Sequence, residues 1–168
     1  MMKNSVSGVV FENGYALFWG GIFSNWAEAM IHKDGNVFYT SEHMFMYGKA
    51  VLFGDSEIAE KILKIKSPRA VKALGRAVKN FDPKIWDVYK YKIMREAVFE
   101  KFKQNLDLKN EIVDLKYDGL HFVEASPYDR IWGIGFGVED AFKNGNVGKW
   151  GQNLLGKALD EVRAEFVS

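Results

Sequence analysis

A chain of 168 residues with 48% hydrophobic and 27% charged residues has the composition of an ordinary globular protein, and its length suits one domain with a sizeable core. The formal net charge of +1 excludes a general electrostatic pull toward nucleic acid or membrane, so any phosphate site must be local. The sequence has no cysteine, which excludes disulfides, thiolate catalysis and cysteine-held zinc and fits a reducing, cytoplasmic location. His32, His43 and His121 are scattered without metal-ligand spacing, so no metal site is expected, and no other cofactor is implied. Neither a signal-peptide core nor a bilayer-length apolar run is present.

In chain order, residues 1–20 read as short β segments, with Val9–Phe11 and Tyr15–Trp19 joined by an Asn13-Gly14 hairpin turn. Gly20–Trp26 reads as a loop, Asp34-Gly35 as a turn and Asn36–Tyr39 as a short strand. A helical pattern begins at Thr40-Ser41-Glu42, where Ser41 or Thr40 can cap and Glu42 suits the positive end of the helix dipole. Glu42, Met46 and Lys49 follow at i, i+4 and i+7, so a carboxylate and an amine flank a methionine on one narrow stripe. Gly54-Asp55 ends that helix and caps the next, Ser56–Lys66, with Ile58, Ile62 and Ile65 inward. Ser67-Pro68 starts a third helix to about Val78, in which Gly75 marks close packing or an open approach to Arg76. Asp82-Pro83 starts the longest, to about Gln104, with Ile85, Tyr89, Ile93, Ala97, Val98 and Phe102 as its expected buried stripe and Trp86 near its start. A shorter helix over Asp107–Lys116 leads to a strand over Gly119–Glu124. After the polar, glycine-rich Lys143–Gly151, a last amphipathic helix runs from Asn153, which can cap it, to Phe166, with Leu154, Leu155, Ala158, Leu159 and Val162 inward. These elements predict a mainly α fold, a single compact helical domain over 1–168 with a small β-sheet or hairpin near the N-terminus.

The densest chemistry lies in Glu124-Ala-Ser-Pro-Tyr-Asp-Arg-Ile-Trp-Gly-Ile-Gly-Phe-Gly137. Pro127 stops a helix, the alternate glycines let backbone approach a bound group, and Glu124, Asp129, Arg130 and Trp132 crowd one loop. The plain alternative is a turn in which Asp129 caps a backbone N–H and Arg130 pairs with it. The G-x-G-x-G spacing is neither a phosphate loop nor a dinucleotide fingerprint. Paired carboxylates suit glycosidic cleavage, and a lysine in apolar surroundings can attack an aldehyde-like carbon as an imine former. Glu42, Lys49, Glu124 and Asp129, with Trp19, Trp26, Trp86 and Trp132 as aromatic surfaces and Arg76 and Arg130 as anion partners, point to cleavage at a sugar's anomeric carbon.

Along nearly its whole length the chain resembles the NADAR family, also described as YbiA-like. The matching pieces are Phe23-Ser-Asn-Trp26, Ser41-Glu-His43 with Lys49, Ser67-Pro68 with Gly75-Arg76, Trp86, Lys101-Phe102, Glu124-Ala-Ser-Pro127, Asp129-Arg-Ile-Trp-Gly-Ile-Gly135, and Asn153-Leu-Leu-Gly156 with Leu159 and Arg163. The resemblance implies a mainly helical N-glycosidase. Family activities include hydrolysis of phosphorylated ribosylamino-pyrimidine intermediates of riboflavin synthesis and removal of ADP-ribose from guanine in DNA. It implies Glu42, Lys49 and Asp129 as catalytic residues. Asn25, Trp26, Arg76, Trp86, Glu124, Arg130, Trp132 and Gly133 are then expected to bind substrate.

The expected partners are a ribosyl-phosphate or ADP-ribosyl small molecule, with ADP-ribosylated DNA as a further candidate. In the expected mechanism, the ribose C1 is placed between Asp129 and the Glu42/Lys49 stripe, and Glu42 or Asp129 assists proton transfer to the departing nitrogen. Lys49 traps the opened sugar as a Schiff base, Trp132 and Trp86 cover base or ribose, and Arg76 or Arg130 holds phosphate. Val138–Gln152 matches no family pattern and is the expected place for substrate choice. The rival reading is a noncatalytic ADP-ribose- or nucleotide-binding module, against which the retained Glu42, Lys49 and Asp129 speak.

Overall fold

The structure, a computed structural model, describes residues 8–168; the part of the first expected β segment over residues 1–7 lies outside them. The elements are β1 (Val10–Glu12), β2 (Tyr15–Phe18), β3 (Ile31–Lys33), β4 (Asn36–Phe38), α1 (Ser41–Leu52), α2 (Ser56–Leu63), α3 (Pro68–Arg76), α4 (Pro83–Gln104), α5 (Leu106–Ile112), β5 (His121–Glu124) and α6 (Leu154–Val167). The fold is mainly α with small sheets, as the pattern predicts. Contacts gather into two compact units, a terminal one (residues 8–24 and 110–168) and a mid-chain one (residues 25–109).

In the terminal unit β1 and β2 form the expected hairpin, with Asn13 and Gly14 both at positive φ, the conformation a tight two-residue turn requires. β5 pairs parallel with β2, Phe18 standing opposite Glu124, so the strand leading into the glycine-rich loop is anchored along an N-terminal strand. Leu17, Val123, Ala125, Ile134 and Ala141 form one buried cluster, with Tyr15, Phe142 and Trp150 packed against it. Phe18, Phe23, Tyr117 and Phe122 form another, Phe23 and Phe122 lying 4.7 Å apart by ring centroid. α6 packs on β5 so closely that a methyl at Gly156 would lie 2.1 Å from the Phe122 carbonyl oxygen.

In the mid-chain unit α1 packs on α2, α3 and α4. Thr40, not Ser41, caps α1, its hydroxyl accepting from the His43 N–H at 3.0 Å. Asp55 caps α2 and also accepts from the Lys79 N–H at 2.8 Å, which ties the end of α3 to the start of α2. His43 is fully buried, its Nδ1 facing the Tyr39 N–H at 3.1 Å and its Nε2 facing the Ile62 carbonyl at 2.7 Å. One donor and one acceptor opposite the ring fix a neutral imidazole protonated on Nε2, and burial lowers its pKa.

Three expectations need correction, and one strand lies where the sequence reading assigns no element. Ile31–Lys33 is a strand, β3, pairing with β4 across Asp34-Gly35; with three residues it carries too short an alternation to read. The buried stripe of α4 does not run through Ile85 and Tyr89, which are 43% and 45% exposed. In the first turns it is Trp86 that packs inward, against Phe45 and Phe53, and Met94 and Lys101 then join Ala97, Val98 and Phe102 of the expected stripe. Residues 113–116 leave the helix, and a 3₁₀ turn over Leu115–Tyr117 follows α5. Asn153 stands at the cap position of α6 with φ of 51° but makes no side-chain cap bond. Its amide instead bridges β5, accepting from the Glu124 N–H at 3.0 Å and donating to the Phe122 carbonyl at 2.9 Å.

Two outcomes follow. Gly156→Ala drives a methyl into backbone, and overpacking of this kind lowers unfolding stability by about 1–3 kcal/mol; an unchanged urea midpoint would contradict the packing of α6 on β5. For His43, the folded pKa lies below the unfolded value of about 6.5. The unfolded chain therefore binds the proton first, and stability present above about 6.5 is lost as the pH falls below it. Thermal melts at pH 7.5 and 5.0 should differ more for the parent than for His43→Gln.

Candidate active site

In the mid-chain unit the first turn of α1 is held by Asn25. Its carbonyl accepts from the Glu42 N–H at 3.0 Å, and its side-chain oxygen accepts from the Ser41 hydroxyl at 2.8 Å. Its amide nitrogen points at the Met94 sulfur at 3.2 Å. Asn25 thus satisfies donors that a helix start leaves open, and in doing so fixes Glu42, which is only 7% exposed.

The i, i+4, i+7 stripe takes the form the spacing predicts. Met46 fills the notch left by Gly75, where a methyl would stand 2.0 Å from its sulfur, so α3 lies tight against α1 and Arg76 follows at the exposed edge. Half-buried Lys49 holds its Nζ 4.6 Å from the Phe81 ring centroid and 5.3 Å from that of Trp86. Phe45, on the neighbouring face of α1, packs on Trp86 at 5.2 Å. Burial lowers the pKa of Lys49, the Arg76 cation lowers it further, and the Glu42 carboxylate partly offsets both. Glu42, Lys49, Arg76 and Trp86 therefore belong to one neighbourhood, with Asn25 beneath it. Trp26 is exposed, with the Lys72 ammonium 6.0 Å from its ring centroid.

Phe81 is the residue the sequence reading misses here. It lies in the connection before the Asp82-Pro83 helix start, where nothing in spacing distinguishes a functional ring from a linker.

In the terminal unit the loop after β5 is rigid. Asp129 Oδ1 accepts from the N–H groups of both Ile131 and Trp132 at 2.8 Å, so Oδ2 takes no part in fixing the turn. This realises the capping half of the plain turn reading. Arg130 does not complete the other half: it donates to the Lys149 carbonyl at 2.5 Å and lies over the Phe136 ring. The carbonyls of Arg130, Ile131, Trp132, Gly133 and Ile134 accept, respectively, from the N–H groups of Gln152, Leu154, Leu155, Asn153 and Gly151 at 2.7–3.1 Å. Gly133 is buried, and a methyl there would lie 2.7 Å from the Glu124 carbonyl oxygen. Its observed part is the folding of the loop onto β5. Glu124 ends β5, half-buried, and Trp132 is likewise half-buried. Among the described residues, no group of three or more His, Asp or Glu side chains is placed to hold a metal ion.

The NADAR domain profile matches residues 17–167. The chain is 40% identical over 150 residues to N-glycosidase R617 of Acanthamoeba polyphaga mimivirus, covering 86% of each chain. To N-glycosidase YbiA of Escherichia coli it is 33% identical over 146 residues, covering 87% of this chain and 81% of that one. It is 42% identical over 131 residues to protein irg-1 of Caenorhabditis elegans, covering 77% of this chain and 61% of the worm protein. The NMR structure of E. coli YbiA superposes with a TM-score of 0.74 at 28% identity, over 95% of this chain and 89% of that one. By profile, relatives and fold, the chain belongs to the NADAR family and with it to the hydrolases that act on N-glycosyl bonds.

Proposed function

We propose that the chain hydrolyses the C–N bond joining a phosphorylated ribose or an ADP-ribose to an amine or nucleobase. The substrates in view are phosphorylated ribosylamino-pyrimidines of riboflavin synthesis and ADP-ribosylated guanine in nucleic acid. The observation that supports this most is Lys49, an amine with a lowered pKa, shielded by Phe81 and Trp86 and near both a carboxylate and a guanidinium. A surface lysine serving only solubility would stay charged and solvated. One held this way has a larger neutral fraction, which is what attack on a carbonyl-like carbon requires.

The proposed catalytic set is Glu42, Lys49 and Asp129. A carboxyl group, Glu42 or Asp129, gives a proton to the departing nitrogen as the C1–N bond breaks. The Lys49 amine bonds to C1 as that bond breaks and gives one proton back to the carboxylate, and the resulting glycosylamine opens to an imine as its remaining N–H proton passes to the ring oxygen. Water then adds to the imine and returns the free sugar and the amine. Arg76 is exposed beside this lysine and suits a phosphate, and Trp86 and Trp132 offer ring faces to base or ribose. Arg130, Glu124, Gly133, Asn25 and Trp26 complete the proposed substrate shell, Asn25 and Gly133 acting through the backbone they hold. The absence among the described residues of a helix able to cross a membrane is compatible with the cytoplasmic location we propose.

The decisive assay offers a ribosylamino-pyrimidine 5′-phosphate and an oligonucleotide bearing ADP-ribosyl guanine in parallel, with product release followed by mass spectrometry. Glu42→Gln and Asp129→Asn should each lower kcat about 10²- to 10⁴-fold with an unchanged circular dichroism spectrum. Full activity in both variants contradicts the assignment, and ADP-ribose binding without cleavage of either substrate moves the reading to a binding module. In the pH profile, the rate should rise as Lys49 loses its proton. Because the Arg76 cation lowers that pKa, Arg76→Ala should move the rising limb to higher pH. An unmoved limb would separate Lys49 from the proton that limits the rate.

A further inference from the structure

We infer that Trp19 and Tyr128 form a stacking platform for the nucleobase of the substrate, beside the loop that carries Asp129. The two rings lie 5.9 Å apart by centroid at an interplanar angle of 56°, yet Trp19 is 57% and Tyr128 85% exposed. Two large aromatic side chains touch each other while leaving most of their surface to solvent, which neither core packing nor a solvated turn calls for.

The backbone beneath them is held from several sides. Phe18 pairs with Glu124 at the end of the sheet, and the Ala125 N–H donates to the Phe18 carbonyl at 2.8 Å, so Trp19 leaves the sheet next to residues 125–128. Gly20 and Gly21, at φ of 80° and 68°, then turn the chain away behind it. On the other side Pro127 restricts the approach to Tyr128, whose N–H donates to the Ser126 hydroxyl at 3.3 Å, and Asp129 fixes the turn that follows. The rings thus project from a held backbone, and each has only two side-chain torsions to order on binding, the property that makes Tyr and Trp effective contact surfaces. A purine or pyrimidine, flat and apolar on its faces, is the ligand such a pair recognises, and stacking tolerates either ring type.

The inference rests on the glycosidase reading in one respect, that Asp129 is close to the bond being broken, so that a ring next to it meets the base and not the phosphate. The test is equilibrium binding, which needs no turnover. Guanosine 5′-monophosphate and ribose 5-phosphate are titrated into the protein by calorimetry. The parent should bind the nucleotide about tenfold or more tightly than the base-free sugar phosphate. Trp19→Ala and Tyr128→Ala should each erase about tenfold of nucleotide affinity and leave ribose 5-phosphate unchanged, while Trp19→Phe retains most of it. Equal affinity of the parent for both ligands, failure of the parent to bind the nucleotide, or variants that bind it like the parent would overturn the platform. Hydrolysis is scored separately: an active enzyme with unaltered nucleotide binding in both variants sinks the platform alone, and nucleotide binding without hydrolysis of any N-glycoside sinks the glycosidase reading alone.

Discussion

A helix start exposes N–H groups that have to be satisfied, and at the start of α6 the chain satisfies them with the carbonyls of residues 130–134. Five backbone bonds lay the glycine-rich loop along residues 151–155, and most of what is distinctive in the terminal unit follows from that seam. Gly133 has to be glycine because the Glu124 carbonyl occupies the space of a side chain, and Gly151 because the Arg130 backbone does. Arg130 reaches back to the carbonyl of Lys149, at the end of a 3₁₀ segment over Lys143–Lys149, so a residue that reads as an anion partner also serves as a clamp. Asn153 is released from capping because backbone carbonyls do that work, and its amide joins β5 to α6 instead. Asp129 and Trp132 are carried on this frame.

The mid-chain unit solves the parallel problem at α1 by different means. There a side-chain cap, Thr40, and the loop residue Asn25 satisfy the first turn, and the helix then presents Glu42, Met46 and Lys49 along one face. Met46 seats α1 against α3 through the Gly75 notch, while the rings of Phe81 and Trp86 take water away from Lys49. Desolvation disfavours the charged amine, and the Arg76 cation adds to the effect. The same two features, a tight helix contact and an aromatic shield, give structure and reactivity together.

Much of this was legible in the residues. Asn13-Gly14, Asp55, Ser67-Pro68 and Asp82-Pro83 mark element boundaries through local backbone chemistry, and local chemistry is what a sequence shows best. The Glu42–Lys49 stripe was legible for the same reason, since helical spacing alone fixes it. The misreadings occur where tertiary packing overrides a local pattern. Ile85 and Tyr89 have the spacing of a core stripe, but in those turns it is Trp86 that packs inward, against Phe45 and Phe53. Asn153 has the residue type of a cap and is displaced by carbonyls some twenty positions earlier in the chain. Phe81 carried no signal because its role depends on where α3 and α4 bring the connection, not on its neighbours in sequence. The resemblance to a family supplied the chemistry of N-glycosides, which spacing could support only as cleavage at an anomeric carbon.

The central claim is that Lys49 is a nucleophile made available by its surroundings. The most direct measurement is turnover of a ribosylamine phosphate in sodium cyanoborohydride, which reduces an imine to a stable secondary amine, followed by peptide mapping by mass spectrometry. The account predicts a single sugar-phosphate adduct on Lys49, absent in Lys49→Arg together with turnover. Hydrolysis at full rate by Lys49→Arg, with no adduct on the parent protein, would contradict it.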